Sequence, residues 1–239
     1  DDTLKYCLNC KRCEVACPSG VRIADIIQAA RIKYSGESPK LRDMILANTD
    51  FMGGLATKVA PVANFALGLK PTKAVMDAVL KVDKHRTFPK YASRTFESWY
   101  RKNVKTFQDT FNRHVSFFHG CYVNYNYPQL GKDLVSVMNA LGYGVHLLEN
   151  EKCCGTALIS NRMIDQAKKN AANNLESIRK SVYERQMPVI GTSSSCNFTI
   201  RDEYPHLLGI DNADVRDYIE LATRFIYRLI EENKVKLVF

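Results

Sequence analysis

Four cysteines close together near the start of the chain are its most constraining feature. They are Cys7, Cys10, Cys13 and Cys17, in the spacing C-x₂-C-x₂-C-x₃-C, and Pro18 follows the last of them. Gaps of two residues let successive thiols point inward from one loop, so the chain here wraps around whatever the sulfurs bind. A [4Fe–4S] cluster needs converging thiolates of this kind. The spacing therefore predicts an iron–sulfur site.

Zinc and disulfide bonds are the alternatives, and both fit this spacing less well. Zinc sites usually pair two C-x₂-C units across a longer spacer. Disulfide frameworks are typical of small secreted domains rather than of a chain of 239 residues. A cysteine before proline usually serves the second cluster of a two-cluster module, yet only six residues precede Cys7. Either Cys17 completes a single cluster, or the chain is an internal portion of a longer protein.

The bulk composition indicates a folded protein of one large or two modest domains. Hydrophobic residues make up 46% of the 239 residues, which is ample for a core. The chain starts with Asp1, and no apolar stretch of a signal peptide follows it. The eight cysteines form one tight and one dispersed set, which is typical of metal ligation in a reducing compartment. We therefore expect a cytoplasmic protein.

Positive charge is concentrated between residues 81 and 114, where nine basic side chains face three acidic ones and aromatic residues are interleaved. Such a stretch suits an anionic membrane surface or an acidic partner, and nucleic acid is a further alternative, although no nucleic-acid-binding motif is present. An ordinary solvated surface explains the charges equally well. Upstream, residues 51–70 are apolar, but Lys58 and Pro61 argue against a spanning helix. A buried helical connector is favoured over an interfacial segment.

Three regions separate along the chain. Residues 1–40 hold the cysteine run and an amphipathic helix, residues 41–113 form a basic and aromatic helical connector, and residues 114–239 alternate between strand and helix patterns. In the third region, strands are predicted at 115–118, 145–148 and 188–191. Helices are predicted at 130–141, 160–182 and 215–230. The fold class predicted is α/β: a small helical [4Fe–4S] module, the connector, and an open, mostly parallel α/β domain.

The second cysteine set follows the predicted strands. Cys121, Cys153, Cys154 and Cys196 all lie just beyond predicted strand ends, and the carboxyl ends of parallel strands meet at one edge of a sheet. Thiols distant in sequence can therefore converge there. Burial as ordinary core cysteines is the alternative. His119 could tune or bind a cluster, but a hydrogen-bonded strand-end histidine is the favoured interpretation.

These motifs resemble a known family. Gly120-Cys121, Cys153-Cys154-Gly155 and Ser195-Cys196 look like one cysteine-rich CCG domain, as in heterodisulfide reductase subunits and the iron–sulfur subunits of glycolate and lactate oxidation. The fuller segments 7–21, 80–91, 117–131 and 195–205 are similar to the family of iron–sulfur C subunits of anaerobic sn-glycerol-3-phosphate dehydrogenases. The two other groups remain the alternative assignment.

The resemblance implies an electron-transfer protein that is not an enzyme on its own. Electrons would pass from the flavin-containing catalytic A and B subunits, through [4Fe–4S] clusters, to menaquinone at the cytoplasmic face of the bacterial inner membrane, where the chain would also help to anchor the complex peripherally. The resemblance implies the same eight cysteines as cluster ligands: Cys7, Cys10, Cys13, Cys17, Cys121, Cys153, Cys154 and Cys196. No catalytic residue, and no flavin or nicotinamide site, is expected in this chain, since only the bare Gly142-x-Gly144 approaches a dinucleotide motif.

The chain departs from the family pattern in two respects. Family members carry two ferredoxin motifs and two CCG units, whereas one of each is present here. The resemblance therefore implies an internal portion that lacks both ends. Some relatives also have a second cysteine three residues after the position of Cys196, where this chain has Thr199. A cluster in this region would then depend on Cys121, Cys153, Cys154 and Cys196 alone.

Overall fold

The centre of the fold is a four-stranded parallel sheet in the order β2-β1-β3-β4. The structure is a computed structural model that describes residue 7, residues 9–34 and residues 40–235. The strands are β1 (Arg113–Phe118), β2 (Tyr143–Leu147), β3 (Val189–Gly191) and β4 (Ile219–Leu221). The chain moves from β1 outward to β2 and later returns to the other side of β1. The two central strands therefore form a switch point, the position where open α/β sheets build their sites.

Helices join the strands and cover both faces of the sheet. They are α1 (Arg12–Val15), α2 (Ile23–Tyr34), α3 (Leu41–Ala47), α4 (Thr49–Lys58), α5 (Ala60–Gly68), α6 (Lys70–Leu80), α7 (Phe96–Asn103), α8 (Lys105–Gln108), α9 (Gly120–Tyr125), α10 (Pro128–Ala140), α11 (Thr156–Ser160), α12 (Ile164–Arg179), α13 (Ser194–Phe198) and α14 (Ala222–Glu231). Two π-helical segments, Lys180–Glu184 and Thr199–Leu208, extend α12 and α13. The fold is thus a mostly helical α/β structure.

The buried residues form two clusters, one on each face of the sheet. Successive strand residues point to opposite faces, so Val115 and Phe117 of β1 join one cluster and Phe118 joins the other. Helices α10 and α14 cover the first face, whereas α12 and the π-helical extension of α13 cover the second. The strands are buried on both faces, as the parallel arrangement requires.

The segment before the sheet divides into two parts. Helix α7 packs onto the sheet, because the Tyr100 hydroxyl donates a hydrogen bond to the Val145 carbonyl (2.7 Å). Helices α3 to α6 instead leave large apolar side chains exposed, including Phe51 and Phe65, each 70% exposed. The prediction of a buried helical connector over residues 51–70 is therefore confirmed for the helical structure, but it is wrong for burial, because apolar side chains of these helices are exposed. Within the described ranges, no helix has both the length and the apolar character needed to cross a bilayer.

Most predicted elements of the third region are present, with one correction. The single helix expected over residues 215–230 is instead a 3-10 turn at Arg216–Tyr218, strand β4 and helix α14. β4 has only three residues and pairs in parallel with β3. A strand this short does not show a distinct hydrophobic period, so the amphipathic pattern of α14 dominated the prediction.

Candidate functional site

The second cysteine set converges at the carboxyl edge of the sheet. Cys121 lies in α9 directly after β1, Cys153 and Cys154 follow β2, and Cys196 lies in α13 after β3. The Cys121 and Cys153 sulfurs are 4.0 Å apart, and the Cys154 and Cys196 sulfurs are 3.3 Å apart. The expected convergence of thiols distant in sequence is therefore present, as two contacting pairs.

Two glycines bring the pairs together. Gly120 has φ +71° and Gly155 has φ +96°, left-handed backbone conformations that favour glycine. A Cβ on Gly120 would lie 3.5 Å from the Cys196 sulfur, so the turn after β1 passes directly beside the thiol that follows β3. The sharp turn at Gly155 allows adjacent cysteines to take part in different pairs.

The contacts between sulfurs separate the pKa values of the four thiols. The hydrogen bond between Cys121 and Cys153 lowers the pKa of Cys153 to about 3 and raises the pKa of Cys121. Hydrogen bonds to Cys153 and Cys196 raise the pKa of Cys154, and the bond from Cys154 lowers the pKa of Cys196. Each pair therefore contains one sulfur that favours the thiolate, which is the form that binds metals.

Two carboxylates hold the backbone around these thiols. Asp50, in α4, accepts a hydrogen bond from the Cys153 backbone N–H (2.7 Å). Glu151 accepts from the backbone N–H groups of Gly120 (2.7 Å) and His119 (3.1 Å). Burial raises the pKa of Asp50, and it raises the pKa of Glu151 to about 7. Asp50 ties the connector to the turn that bears Cys153, and Glu151 ties the ends of β1 and β2 to each other.

His119 is a buried strand-end residue with hydrogen-bond partners, as the sequence interpretation favoured. Its ring Nδ1 lies 3.0 Å from the Gly120 carbonyl oxygen and 3.2 Å from the Glu151 carboxylate. The ring also meets Phe96 and Phe117 edge-on, with centroids 5.7 and 6.2 Å away. These contacts fix the ring beside the turn that bears Cys121.

Two buried side chains form hydrogen bonds to the backbone of the turn between Lys152 and Cys154. Asn174 in α12 accepts from the Lys152 N–H (2.8 Å) and donates to the Lys152 carbonyl (3.0 Å). The Tyr204 hydroxyl donates to the Cys154 carbonyl (2.9 Å). Both Asn174 and Tyr204 are fully buried. The backbone that presents the adjacent cysteines is therefore rigidly anchored.

The first cysteine set is more open. Cys10 and Cys13 are exposed, while Cys7 and Cys17 are half-buried. Backbone N–H groups reach two of the sulfurs, from Asn9 to Cys7 (3.5 Å) and from Val21 to Cys17 (3.4 Å). The four residues lie in and around the loop that surrounds the short helix α1.

A row of polar side chains connects the two cysteine sets. The Cys154 sulfur lies 3.2 Å from the Thr156 hydroxyl, which lies 2.7 Å from the Thr199 hydroxyl. Thr199 donates to one oxygen of Glu203 (2.6 Å), and the Asn9 side-chain amide donates to the other oxygen (2.6 Å). Because the Asn9 backbone also reaches Cys7, the row runs from one set of thiols to the other.

A cation–π contact reinforces this junction. The Lys11 ammonium lies 5.3 Å from the centroid of the Phe198 ring, on the helix that bears Cys196. Lys11 also forms ion pairs with Asp25 and with Glu14 (3.5 Å). The loop of the first cysteine set is therefore held by Lys11 against α13 and by Asn9 against the π-helical extension of α13, on the two sides of Cys10.

The donor chemistry of both sets fits a metal–sulfur group. Thiolates select iron–sulfur clusters, zinc or copper(I), and second-shell hydrogen bonds to sulfur are in place. Within the residues that the structure describes, no three His, Cys, Asp or Glu side chains already have the geometry to hold one metal ion. The sulfurs of each contacting pair would have to move apart to bind different irons of one cluster.

Sequence reasoning found the cysteines and missed the side chains that hold them. Asn174 was detectable, because it falls on the apolar stripe of α12 beside Leu175 and Ile178, where a polar residue needs a buried partner. Asp50 interrupts an apolar stretch in a comparable way. Nothing in the local pattern distinguishes Glu203, whose role depends on contacts with residues distant in the chain.

Comparisons with known proteins agree with this site. Residues 115–201 match the family described as "CCG: Cysteine-rich domain". The chain is 55% identical over 98% of its length to the C subunit of the anaerobic glycerol-3-phosphate dehydrogenase of Escherichia coli K12, of which it covers 59%. It is 22% identical over 98% of its length to a probable glycolate oxidase iron–sulfur subunit of Bacillus subtilis, and it spans 53% of that protein.

A more distant relative is an uncharacterised iron–sulfur protein of Methanococcus maripaludis, 25% identical over 85% of the chain and matched over 34% of its own length. No solved structure matches. The chain spans about three fifths of the length of the E. coli relatives. The four strand-end thiols lie within the matched residues 115–201, and the chain is similar over 98% of its length to the C subunit of an anaerobic glycerol-3-phosphate dehydrogenase.

Proposed function

We propose that the chain is the electron-relay part of an anaerobic glycerol-3-phosphate dehydrogenase. Electrons leave the flavin-containing catalytic A and B subunits, pass through iron–sulfur clusters in this chain, and reach menaquinone. The observation that carries the proposal is the polar row between Cys154 and Cys7, because it holds two thiol sets of cluster type in one folded unit. The identity of 55% to the E. coli C subunit supports the assignment of the complex.

The eight cysteines divide between two proposed cluster sites. Cys7, Cys10, Cys13 and Cys17 belong to a ferredoxin-type module in residues 1–40, and Cys121, Cys153, Cys154 and Cys196 belong to the CCG region in residues 114–239. Bound clusters supply one-electron chemistry, and burial and hydrogen bonds to sulfur set their potentials. Residues 41–113 form the connector. In this arrangement the chain carries electrons, and the chemistry on glycerol 3-phosphate belongs to the partner subunits.

Removing one thiol from the CCG region tests the cluster assignment. We expect Cys196→Ser to lose the iron and the reduced-state EPR signal of that region, because serine replaces a soft thiolate by a hard, weakly acidic hydroxyl. The protein is purified without oxygen, and iron, acid-labile sulfide and EPR spectra are measured per chain. Ser195→Ala, at the exposed neighbouring position, is the matched control and should retain both. A colourless, metal-free wild type, or one that carries zinc, would contradict the proposal.

We also propose that α4, α5 and α6 rest on the cytoplasmic face of the inner membrane and anchor the complex peripherally. The side chains of Phe51, Val62 and Phe65 are 70%, 69% and 70% exposed. Exposed Lys58 and Lys70 flank them. Apolar side chains beside lysines suit an interface with anionic lipid, where the rings enter the acyl boundary and the ammonium groups meet the head groups.

Vesicle binding tests this contact. We expect the double variant Val62→Ser/Phe65→Ser to bind anionic vesicles at least roughly tenfold more weakly, because each lost apolar side chain removes about 1.5–3 kcal/mol of burial. Binding is measured by co-sedimentation with vesicles at low and moderate salt. Val137→Ser, at an exposed valine of α10, is the control and should bind as the wild type does. Equal binding by all three proteins would place the membrane contact elsewhere.

A further inference from the structure

An apolar pocket of about 250 Å³ lies directly against the second cysteine set. It is enclosed by α3 and α4, by the segment before α7 and by α9. Most of its wall is aliphatic or aromatic: Ile45, Met52, Phe88, Tyr91, Tyr122 and Tyr125. Cys121 forms part of the same wall. The pocket therefore joins the connector to the site at the sheet edge.

The lining indicates the chemistry of a ligand. Aromatic walls with few polar groups suit a flat aromatic ring, since rings stack or meet edge-on at low cost. Besides Cys121 and the tyrosines, the polar residues that line it are Thr49 and Asn126. A ring bearing carbonyl oxygens would satisfy both kinds of wall.

Cys121 also forms part of the wall of a second pocket. That pocket is polar, about 240 Å³ in volume, and lined by Asp50, Glu151 and Lys152. A ring in the apolar pocket would lie beside Cys121, whose sulfur is 4.0 Å from the Cys153 sulfur. Water in the polar pocket would lie beside the same residue. Reduction of a quinone to its quinol takes up two electrons and two protons, and Cys121 belongs to the wall of both the apolar pocket and the polar pocket.

Exposed apolar side chains lie on α3 and α4, the two helices that form part of the pocket wall. Leu46 lines the pocket and is itself 37% exposed, and Met44 on the same helix is 46% exposed. Phe51, on the next helix, belongs to the surface that we assign to the membrane. These exposed side chains offer apolar contacts to a hydrocarbon tail attached to the ring.

We propose that this pocket, between α3, α4 and α9, binds the ring of the quinone that accepts electrons from the chain. The proposal rests on the proposed function, since it locates the acceptor of that relay. The electrons come from clusters reduced by the flavin subunits, and the protons come from water at the polar pocket.

Binding of 2,3-dimethyl-1,4-naphthoquinone to the cluster-loaded chain tests the proposal. This probe has no free position on its quinone ring for thiol addition. Its affinity is measured by anaerobic equilibrium dialysis. We expect Met52→Trp, which fills the pocket, to weaken binding at least about tenfold, and Met52→Ala, which removes wall contacts without overpacking, to weaken it about threefold. Leu55→Trp, on the same helix but 53% exposed, is the matched control and should bind within about twofold of wild type.

The outcomes distinguish failure of the proposed quinone site from failure of the proposed electron transfer. Circular dichroism and cluster absorbance establish that each variant is folded and loaded, and Met52→Ala decides the case if Met52→Trp does not fold. Unchanged affinity in the folded Met52 variants, or no binding by the wild type, overturns the pocket. If dithionite-reduced clusters still pass electrons to the probe in those cases, the relay stands without this site. If loaded clusters never pass electrons to it, the proposed function itself fails.

Discussion

Gly53→Ala is expected to destabilise the metal-free chain by about 1–3 kcal/mol, although alanine normally favours a helix over glycine. A Cβ on Gly53 would lie 2.4 Å from the Tyr125 Cδ2 atom and 2.5 Å from Cγ. These atoms are near the root of the side chain, so the ring cannot simply rotate its tip away. Helix α4 must move outward instead, which withdraws Asp50 from the Cys153 N–H. Urea unfolding measures the stability, and iron per chain after anaerobic loading measures the effect on the site.

Gly54→Ala is the matched control for this prediction. The two glycines are adjacent in α4, but a Cβ on Gly54 would meet no atom within 4 Å. We expect Gly54→Ala to stabilise the chain by up to about 1 kcal/mol through helix propensity alone, and to load iron as the wild type does. Equal stability changes in the two variants would show that the contact between α4 and Tyr125 does not hold the connector in place.

Asn174→Ala is expected to cost about 3 kcal/mol of unfolding free energy and to reduce iron loading. The substitution leaves the N–H and carbonyl of Lys152 without their side-chain partners in bonds that are partly buried, and an unsatisfied buried group costs about 1–3 kcal/mol. The small cavity that remains adds to this loss. Because these bonds fix the turn before Cys153, the thiols should also become less well positioned. Denaturant unfolding and iron analysis on the same preparations test both effects.

Asn173→Ala provides the comparison. Asn173 precedes Asn174 in the same helix and also bonds to backbone, donating to the Asn150 carbonyl (2.6 Å), but that bond is exposed to solvent. Water can replace the lost partner there, so we expect a change below about 1 kcal/mol and normal iron loading. If the two variants behave alike, burial of Asn174 is not what holds the turn.

The sequence predicted the parts of this fold that depend on local pattern. Strands β1, β2 and β3 and helix α10 follow from hydrophobic periodicity, and the cysteines stand at strand ends as expected. Strand β4 escaped prediction, because three residues carry no period and its pairing with β3 is set by tertiary contact. That the eight cysteines bind iron–sulfur clusters remains a prediction, which iron analysis has to test.

The supporting residues were harder to predict for a physical reason. Glu203 and Asn9 are separated by 194 positions, and their hydrogen bond exists only because the α13 extension and the first cysteine loop meet in space. The exposed apolar face of α4 to α6 was misjudged in the same way, since apolar composition alone does not say whether a helix finds a cover within its own chain.

Helix α4 has two sides with different surroundings, and this has a mechanical consequence. Phe51 and Leu55 point to the exterior, whereas Asp50 and Gly53, on the same ten-residue helix, press against the thiol-bearing turn and the α9 helix. A membrane or protein that contacts the outer side of α4 would therefore press on a helix whose inner side accepts a hydrogen bond from the Cys153 backbone through Asp50. Helix α4 therefore links the surface that we propose to contact the membrane with the turn that bears Cys153, and a displacement of the whole helix would reach both.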